Sequence, residues 1–209
     1  MKVTILRENE IRGCVMLDQE AVTAVAEGFV CLTEGKANLS PIIRVDVLEN
    51  HGEVDIKTAF LHGRDYFAIK IASGFFNNPS IGLPYGSGMM VIINARTGFL
   101  EALLLDNGYL TDLRTGLAGA IAARHLAPSR VKTAGVIGSG VQARYQIHGL
   151  KLMRDFERLL VYGIVPEQVD QYVDEMQQAL GIKVEKYASP EEVVLQSDFV
   201  ATTTPSRQP

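Results

Sequence analysis

Residues 138–143 of this 209-residue chain read Gly138-Ser139-Gly140-Val141-Gln142-Ala143. In this Gly-x-Gly-x-x-Gly/Ala pattern each small residue has a chemical reason. Gly138 permits a tight turn, Gly140 lets the main chain approach a pyrophosphate with no Cβ in the way, and Ala143 keeps the next helix close to the preceding strand. The apolar strand Ala134-Gly135-Val136-Ile137 leads in. An amphipathic helix follows, and its free N–H groups and positive dipole end favour phosphate. A second strand, Leu159-Leu160-Val161-Tyr162, arrives at the spacing of a β-α-β unit. The segment from Lys132 to Val161 therefore reads as the opening of a dinucleotide-binding domain. Gly138, Ser139, Gly140, Val141 and Gln142 form its phosphate turn. NAD-specific folds usually end the second strand in an acid, and NADP enzymes often place an Arg nearby. Here Tyr162-Gly163-Ile164-Val165 carries neither, so NAD or NADP is left open.

Ahead of that turn, three basic residues stand in apolar company. Arg44 lies in Ile42-Ile43-Arg44-Val45, Lys70 follows Phe67-Ala68-Ile69, and Arg114 opens an Ala-rich helix. A buried cation without a partner is costly. Strand alternation could instead place Arg44 or Lys70 on a solvent face. Taken together, beside a nicotinamide site, they suggest a pocket for a carboxylate. Arg would grip it bidentately, and a desolvated Lys would serve as acid or base. The histidines offer no such pattern. None of His51, His62, His125 and His148 has a second ligand at metal spacing, so no metal is expected. Ser139 does not sit in a Gly-x-Ser-x-Gly elbow, which argues against a hydrolase.

The elements that must position these residues fall into two groups. Residues 1–126 read as α+β: one early helix capped by Asp18 and stopped at Gly35, then strand-like runs at 42–48, 54–61, 66–71, 89–94 and 100–106. They suggest a meandering antiparallel sheet with a functional or surface loop at 74–88. A helix over 110–126, with Thr111 or Asp112 as N-cap, connects to residues 127–209. There strand and helix alternate, which implies parallel βαβ units. Four strands follow Thr133 where a full doubly wound sheet has about six. The expectation is an α/β chain whose N-terminal α+β substrate and dimerisation domain precedes an incomplete Rossmann-type sheet.

Composition sets outer bounds. With 47% hydrophobic and 21% charged residues the chain can bury a core, and a net charge of −4 gives no reason to expect nucleic acid or an anionic membrane as partner. No apolar run reaches the ~20 residues of a membrane span, and no leader pattern starts at Met1, so a cytoplasmic location is the default. The two cysteines, Cys14 and Cys31, are too few for a disulfide framework and read as buried thiols. Met89 and Met90 read as core residues of a strand.

The chain resembles the ornithine cyclodeaminase/μ-crystallin family along essentially its whole length. The resemblance is carried by Ala68-Ile69-Lys70, Gly82-Leu83-Pro84, Arg96-Thr97-Gly98, the run from Tyr109 through Thr111-Asp112-Leu113-Arg114 to Gly116, and Val136 through Ala143. Its details look most like the ectoine-utilisation branch. The resemblance implies a homodimer acting on a small amino or imino acid, whose carboxylate is held by Arg44, Lys70 and Arg114. Lys70 is also the implied acid/base. Thr202 and Thr203 would lie beside the cofactor. Asp55 matches an acidic substrate contact only loosely and is set aside. The implied reaction is hydride transfer at the α carbon with loss of ammonia. The alternatives are an NAD(P)H-dependent ketimine reductase, or a nucleotide and small-ligand binding protein without turnover. Two departures stand out. Tyr85 follows Gly-Leu-Pro where many relatives have a small hydroxyl residue, and the cyclodeaminase aspartate falls beyond residue 209 in the family pattern.

Overall fold

In the computed structural model, which describes residues 2–204, the chain divides into two compact units. The first comprises the chain up to Met16 together with Ala24–Thr111. The second comprises Leu17–Thr23 and the chain from Asp112. The helix read as a connector thus counts with the second unit from Asp112 onward, ahead of the boundary expected at 126.

The first unit is built on a seven-stranded sheet. Its elements are β1 (Thr4–Arg7), α1 (Glu8–Cys14), α2 (Gln19–Thr33), β2 (Ala37–Leu39), β3 (Ile43–Val47), β4 (Gly52–Leu61), β5 (Tyr66–Phe75), β6 (Gly86–Asn94) and β7 (Leu100–Leu105). The expected antiparallel meander runs from β4 to β7. Three short elements extend it beyond the sequence reading. β1 pairs in parallel with β7, β2 pairs with the far half of β4, and α1 makes two helices before β2 instead of one. Each is too short to show periodicity: β1 has four residues, β2 three and α1 seven. α2 begins as expected, because the Asp18 carboxylate accepts the Ala21 N–H at 2.8 Å. Gly35 (φ +70°) follows it. β5 and β6 reach further into the 74–88 segment than expected, leaving a shorter loop that holds one 3₁₀ turn, Asn78–Ile81. Cys14 is exposed and Cys31 half-buried, contrary to the expectation of buried thiols, because α1 and α2 show those positions to solvent. Met89 is likewise 38% exposed rather than core.

α3 (Tyr109–Leu126) begins in the first unit and belongs to the second from Asp112 onward. Its cap is not Thr111 or Asp112. The helix begins earlier, and the buried Asp106 carboxylate accepts the Leu110 N–H at 2.8 Å. β8 (Thr133–Ile137), α4 (Val141–Met153), β9 (Arg158–Tyr162), α5 (Pro166–Leu180), β10 (Lys183–Lys186), α6 (Pro190–Gln196) and β11 (Phe199–Thr202) then alternate. The four strands are all parallel in the order β10-β9-β8-β11. Reversal of order at β8 is the doubly wound pattern, and such folds take ligands outside the carboxyl ends of strands at that point. One face of β8 and β9, carrying Ala134, Val136, Leu159 and Val161, packs with Ile147, Leu150, Tyr172 and Met176 in one core, and on the other face a Cβ at Gly135 would lie 2.8 Å from Val193 of α6. Among the described residues no helix is long and apolar enough to cross a membrane.

Candidate functional site

In the first unit the strand register collects charges on one sheet face. Arg44 of β3 lies opposite Asp55 of β4, Asp46 opposite Glu53, and Lys57 opposite Lys70 of β5. Successive residues alternate sides, so these six share a face, while Ile43, Val45, Val54, Ile56, Ile69 and Ile71 take the other. The Arg44 Nε donates to Asp46 Oδ1 at 2.9 Å, and its Nη2 pairs with Glu53. Lys57 Nζ stands 2.9 Å from Asp55 Oδ2.

Asp55 sits at the centre of this arrangement. Its side chain is 19% exposed. Among the described residues its Oδ1 is buried with no hydrogen-bond partner. The Lys57 ammonium holds its carboxyl below the usual range despite burial, with help from the charges of Arg44 and Lys70. The sequence reading set Asp55 aside. What could have found it is the register: with a tight turn after β3, the residue facing Arg44 on β4 is Asp55.

Tyr85 belongs to the same neighbourhood. Its ring meets Phe76 edge-on at 5.1 Å, and its carbonyl accepts the Phe75 N–H at 2.8 Å. Burial pushes its phenol up. The Glu53 carboxylate adds to that and the Arg44 charge opposes it, so the phenol stands within reach of both fields. Ser87 is instead committed to Asn107, with Oγ 2.9 Å from Oδ1. Arg114 belongs to the second unit, on an exposed position of α3 between the buried Leu113 and Leu117. The sheet face thus brings Arg44 and Lys70 together, and Arg114 is carried by a different element.

The second unit builds the phosphate turn. Gly138 has φ +110°, and a Cβ there would lie 2.6 Å from Thr203 Oγ1 and 2.9 Å from the Thr203 carbonyl oxygen. Only glycine satisfies both conditions. The turn is held by Gly138 N–H donating to the Tyr162 carbonyl at 2.7 Å, and by Thr203 N–H donating to that of Ile137 at 2.8 Å. Gly140 is the N-cap of α4, no side chain caps that helix, and a Cβ on Gly140 would meet nothing within 4 Å. Ala143 is fully buried. An uncapped helix end facing open space at a glycine suits the pyrophosphate of a dinucleotide. Of the other expected cofactor residues, Val141 is 55% exposed, Thr202 is exposed and Thr203 half-buried at the end of β11. The Gln142 amide is engaged by Asp112 Oδ1 at 2.9 Å, which leaves its main chain for the turn. Beyond β9, Ile164 is 85% exposed and supplies no charge.

Known proteins are similar to this chain in sequence and in fold. The chain is 44% identical over 208 residues to a provisionally named dehydrogenase of Rhizobium meliloti, covering 100% of this chain and 63% of that protein. It is 42% identical over 206 residues to a protein of Sinorhizobium fredii named an uncharacterised cyclodeaminase, covering 98% of this chain and 62% of the relative. Among solved structures, the Δ1-pyrroline-2-carboxylate reductase of Thermococcus litoralis, in complex with NADH and L-proline, superposes with a TM-score of 0.93 at 29% identity. That match covers 98% of this chain and 63% of the other. The chain therefore spans a little over three fifths of the length of these relatives. The family profile extends over residues 1–209, and the chain belongs to the ornithine cyclodeaminase/mu-crystallin family.

Proposed function

We propose that the protein containing this chain is an NAD(P)-dependent enzyme acting at the α carbon of a small amino or imino acid. The observation that carries this reading is the face of the first sheet on which Arg44, Asp55, Lys57 and Lys70 stand together. The nicotinamide, when bound, supplies the capacity to exchange a hydride with that carbon. The 138–143 turn, with Thr202 and Thr203, would hold the dinucleotide through main-chain donors.

The chain's own residues divide the remaining work. Arg44, Lys70 and Arg114 are the proposed ligands of the substrate carboxylate, Arg44 with a planar fork matched to it. In the state described, Arg44 is engaged by Asp46 and Glu53, so substrate binding exchanges one carboxylate partner for another. Lys70 holds or moves a proton at the substrate nitrogen or α carbon. Lys57 on the facing strand and Asp55 two positions before it set the local field. Asp55 offers a buried acceptor to a substrate ammonium. A second copy of the chain is the proposed partner. Ile43 and Val45, on the apolar side of the sheet, are 59% and 52% exposed, and such a surface favours association.

Within this class we place the reaction as cyclodeaminase-type, with loss of ammonia, in line with the family and the Sinorhizobium fredii relative. The second reading is an imino-acid reductase, favoured by the likeness to the Thermococcus litoralis enzyme with NADH and L-proline. Two assays separate them: ornithine or diaminobutyrate with catalytic NAD, and a cyclic imine with stoichiometric NADH. Ammonia release without net NADH supports the first. NADH consumed in proportion to a cyclic imine, with no ammonia, removes it in favour of the second. Turnover in neither assay, with NADH still bound, would leave a binding protein.

A further inference from the structure

The phosphate turn carries a cation that its glycine pattern does not require. Arg144 follows Ala143 in the first turn of α4, and its side chain folds back on the turn. Nη1 donates to the Ser139 carbonyl at 2.7 Å and to the Gly140 carbonyl at 3.1 Å. Nε donates to Glu175 Oε2 of α5 at 2.7 Å, and Nη2 lies 2.5 Å from the same oxygen. The guanidinium carbon stands 5.1 Å from the centre of the Tyr172 ring, which is fully buried. One side chain therefore ties the turn to α5.

The consequence follows from peptide geometry. A trans peptide unit is planar, and its C=O and N–H point in opposite directions. With the Ser139 and Gly140 carbonyls held on the guanidinium, the N–H groups of Gly140 and Val141 are directed away from Arg144. These are the donors that an uncapped helix end offers to an anion. The charge of Arg144 is itself balanced, since its guanidinium holds the Glu175 carboxyl below the usual range. Arg144 is thus placed to act through the main chain and not as a counter-charge to phosphate.

We infer that Arg144 is a positioning residue of the dinucleotide site: it fixes the peptide planes of the 138–143 turn so that the amide donors are set before a pyrophosphate arrives. Setting donors in advance lowers the ordering cost of binding. The inference rests on the nucleotide-binding reading of that turn.

Two measurements on the same preparations test it: NMR order parameters of the turn amides without nucleotide, and titration with NADH. Arg144→Met should lower the order parameters of Gly140 and Val141 in a protein that still folds, and raise the NADH Kd roughly tenfold. Arg144→Lys keeps the charge but loses the fork and should recover only part of that affinity. Glu175→Gln separates positioning from charge. A freed counter-charge would tighten NADH, whereas a loosened positioning contact weakens it, by about two- to threefold. Tightening in Glu175→Gln, or unchanged order parameters of the turn in a folded Arg144→Met, overturns the inference. Should Arg144→Met fail to fold, the same two measurements on Glu175→Gln decide it. Failure of the unsubstituted chain to bind NADH would refute the nucleotide reading, while the order parameters would still decide whether Arg144 orders the turn.

Discussion

Leu159, Leu160 and Val161 on β9 are 0% exposed, whereas on β3 Ile43 is 59% and Val45 52% exposed. The two sheets place their chemistry accordingly. A parallel sheet with helices on both faces is apolar along its central strands, and charge is kept to the margin, where Arg158 at the start of β9 pairs with Glu185 of the edge strand β10. The site proposed for the second unit therefore lies at a strand end and uses main-chain donors and glycines. The antiparallel sheet of the first unit is apolar on one side only, and its other side carries Glu53, Asp55, Lys57 and Lys70 at partial burial and Arg44 and Asp46 exposed. Arg44 pairs with Asp46 on its own strand and with Glu53 across from it, and Lys57 pairs with Asp55 on β4. A dry core thus supports a site made of backbone, and a half-covered sheet supports one made of side chains.

The largest test of this contrast is Lys70→Ala. On the proposed role it should lower turnover by about 10²–10⁴-fold while the NADH Kd stays unchanged. Undiminished turnover would remove Lys70 from the chemistry and leave the sheet face without its acid/base. Next comes packing. Leu159→Ala should cost about 2–5 kcal/mol in denaturant unfolding, because a fully enclosed site cannot collapse freely. Ile69→Ala, half-buried on β5, should cost about 1 kcal/mol. Equal losses would erase the distinction between the two sheets.

Gly138→Ala should cost about 1–3 kcal/mol and abolish measurable NADH binding, since it strains a φ of +110° and drives a Cβ against Thr203. Retained NADH affinity would show that the turn is not where the nucleotide docks. The smallest effect belongs to Asp198→Ala. The Asp198 carboxylate accepts the N–H groups of Lys132 and Thr133 at 2.8 and 3.0 Å, which lowers its pKa. A depressed carboxylate stabilises the fold above its unfolded pKa, and that contribution is lost as pH falls through the folded value. The variant should therefore melt slightly below the parent at neutral pH, with the gap closing below about pH 4. A gap that persists in acid would assign the effect to packing.

Much of this was legible from residues alone. The fingerprint lay between strand and helix patterns long enough to read, and β8, α4 and β9 formed where that pattern put them. β1, β2 and α1 were not legible, because none exceeds two periods of its own repeat. The α3 cap was misplaced because Asp106 lies ahead of the apolar periodicity, and only the fold shows that its carboxylate turns back to Leu110. Asp55 was passed over because its importance comes from the strand opposite.

What the sequence determined by itself is whatever acts within one turn or one repeat. It set the glycines that permit φ +110° and an uncapped helix end, the alternation that puts Arg44 and Lys70 on faces opposite their apolar neighbours, and the βαβ rhythm. The tertiary structure alone decided what depends on register and on contacts between distant segments. It set Asp55 opposite Arg44 and Lys57 opposite Lys70, brought Tyr85 into the field of Glu53, and folded Arg144 back onto Ser139 and Gly140 while Glu175 holds its other edge. The reason is physical. Local preference is a property of a few consecutive dihedrals, whereas a cross-strand or cross-helix partner is chosen by packing, which no short stretch of residues encodes.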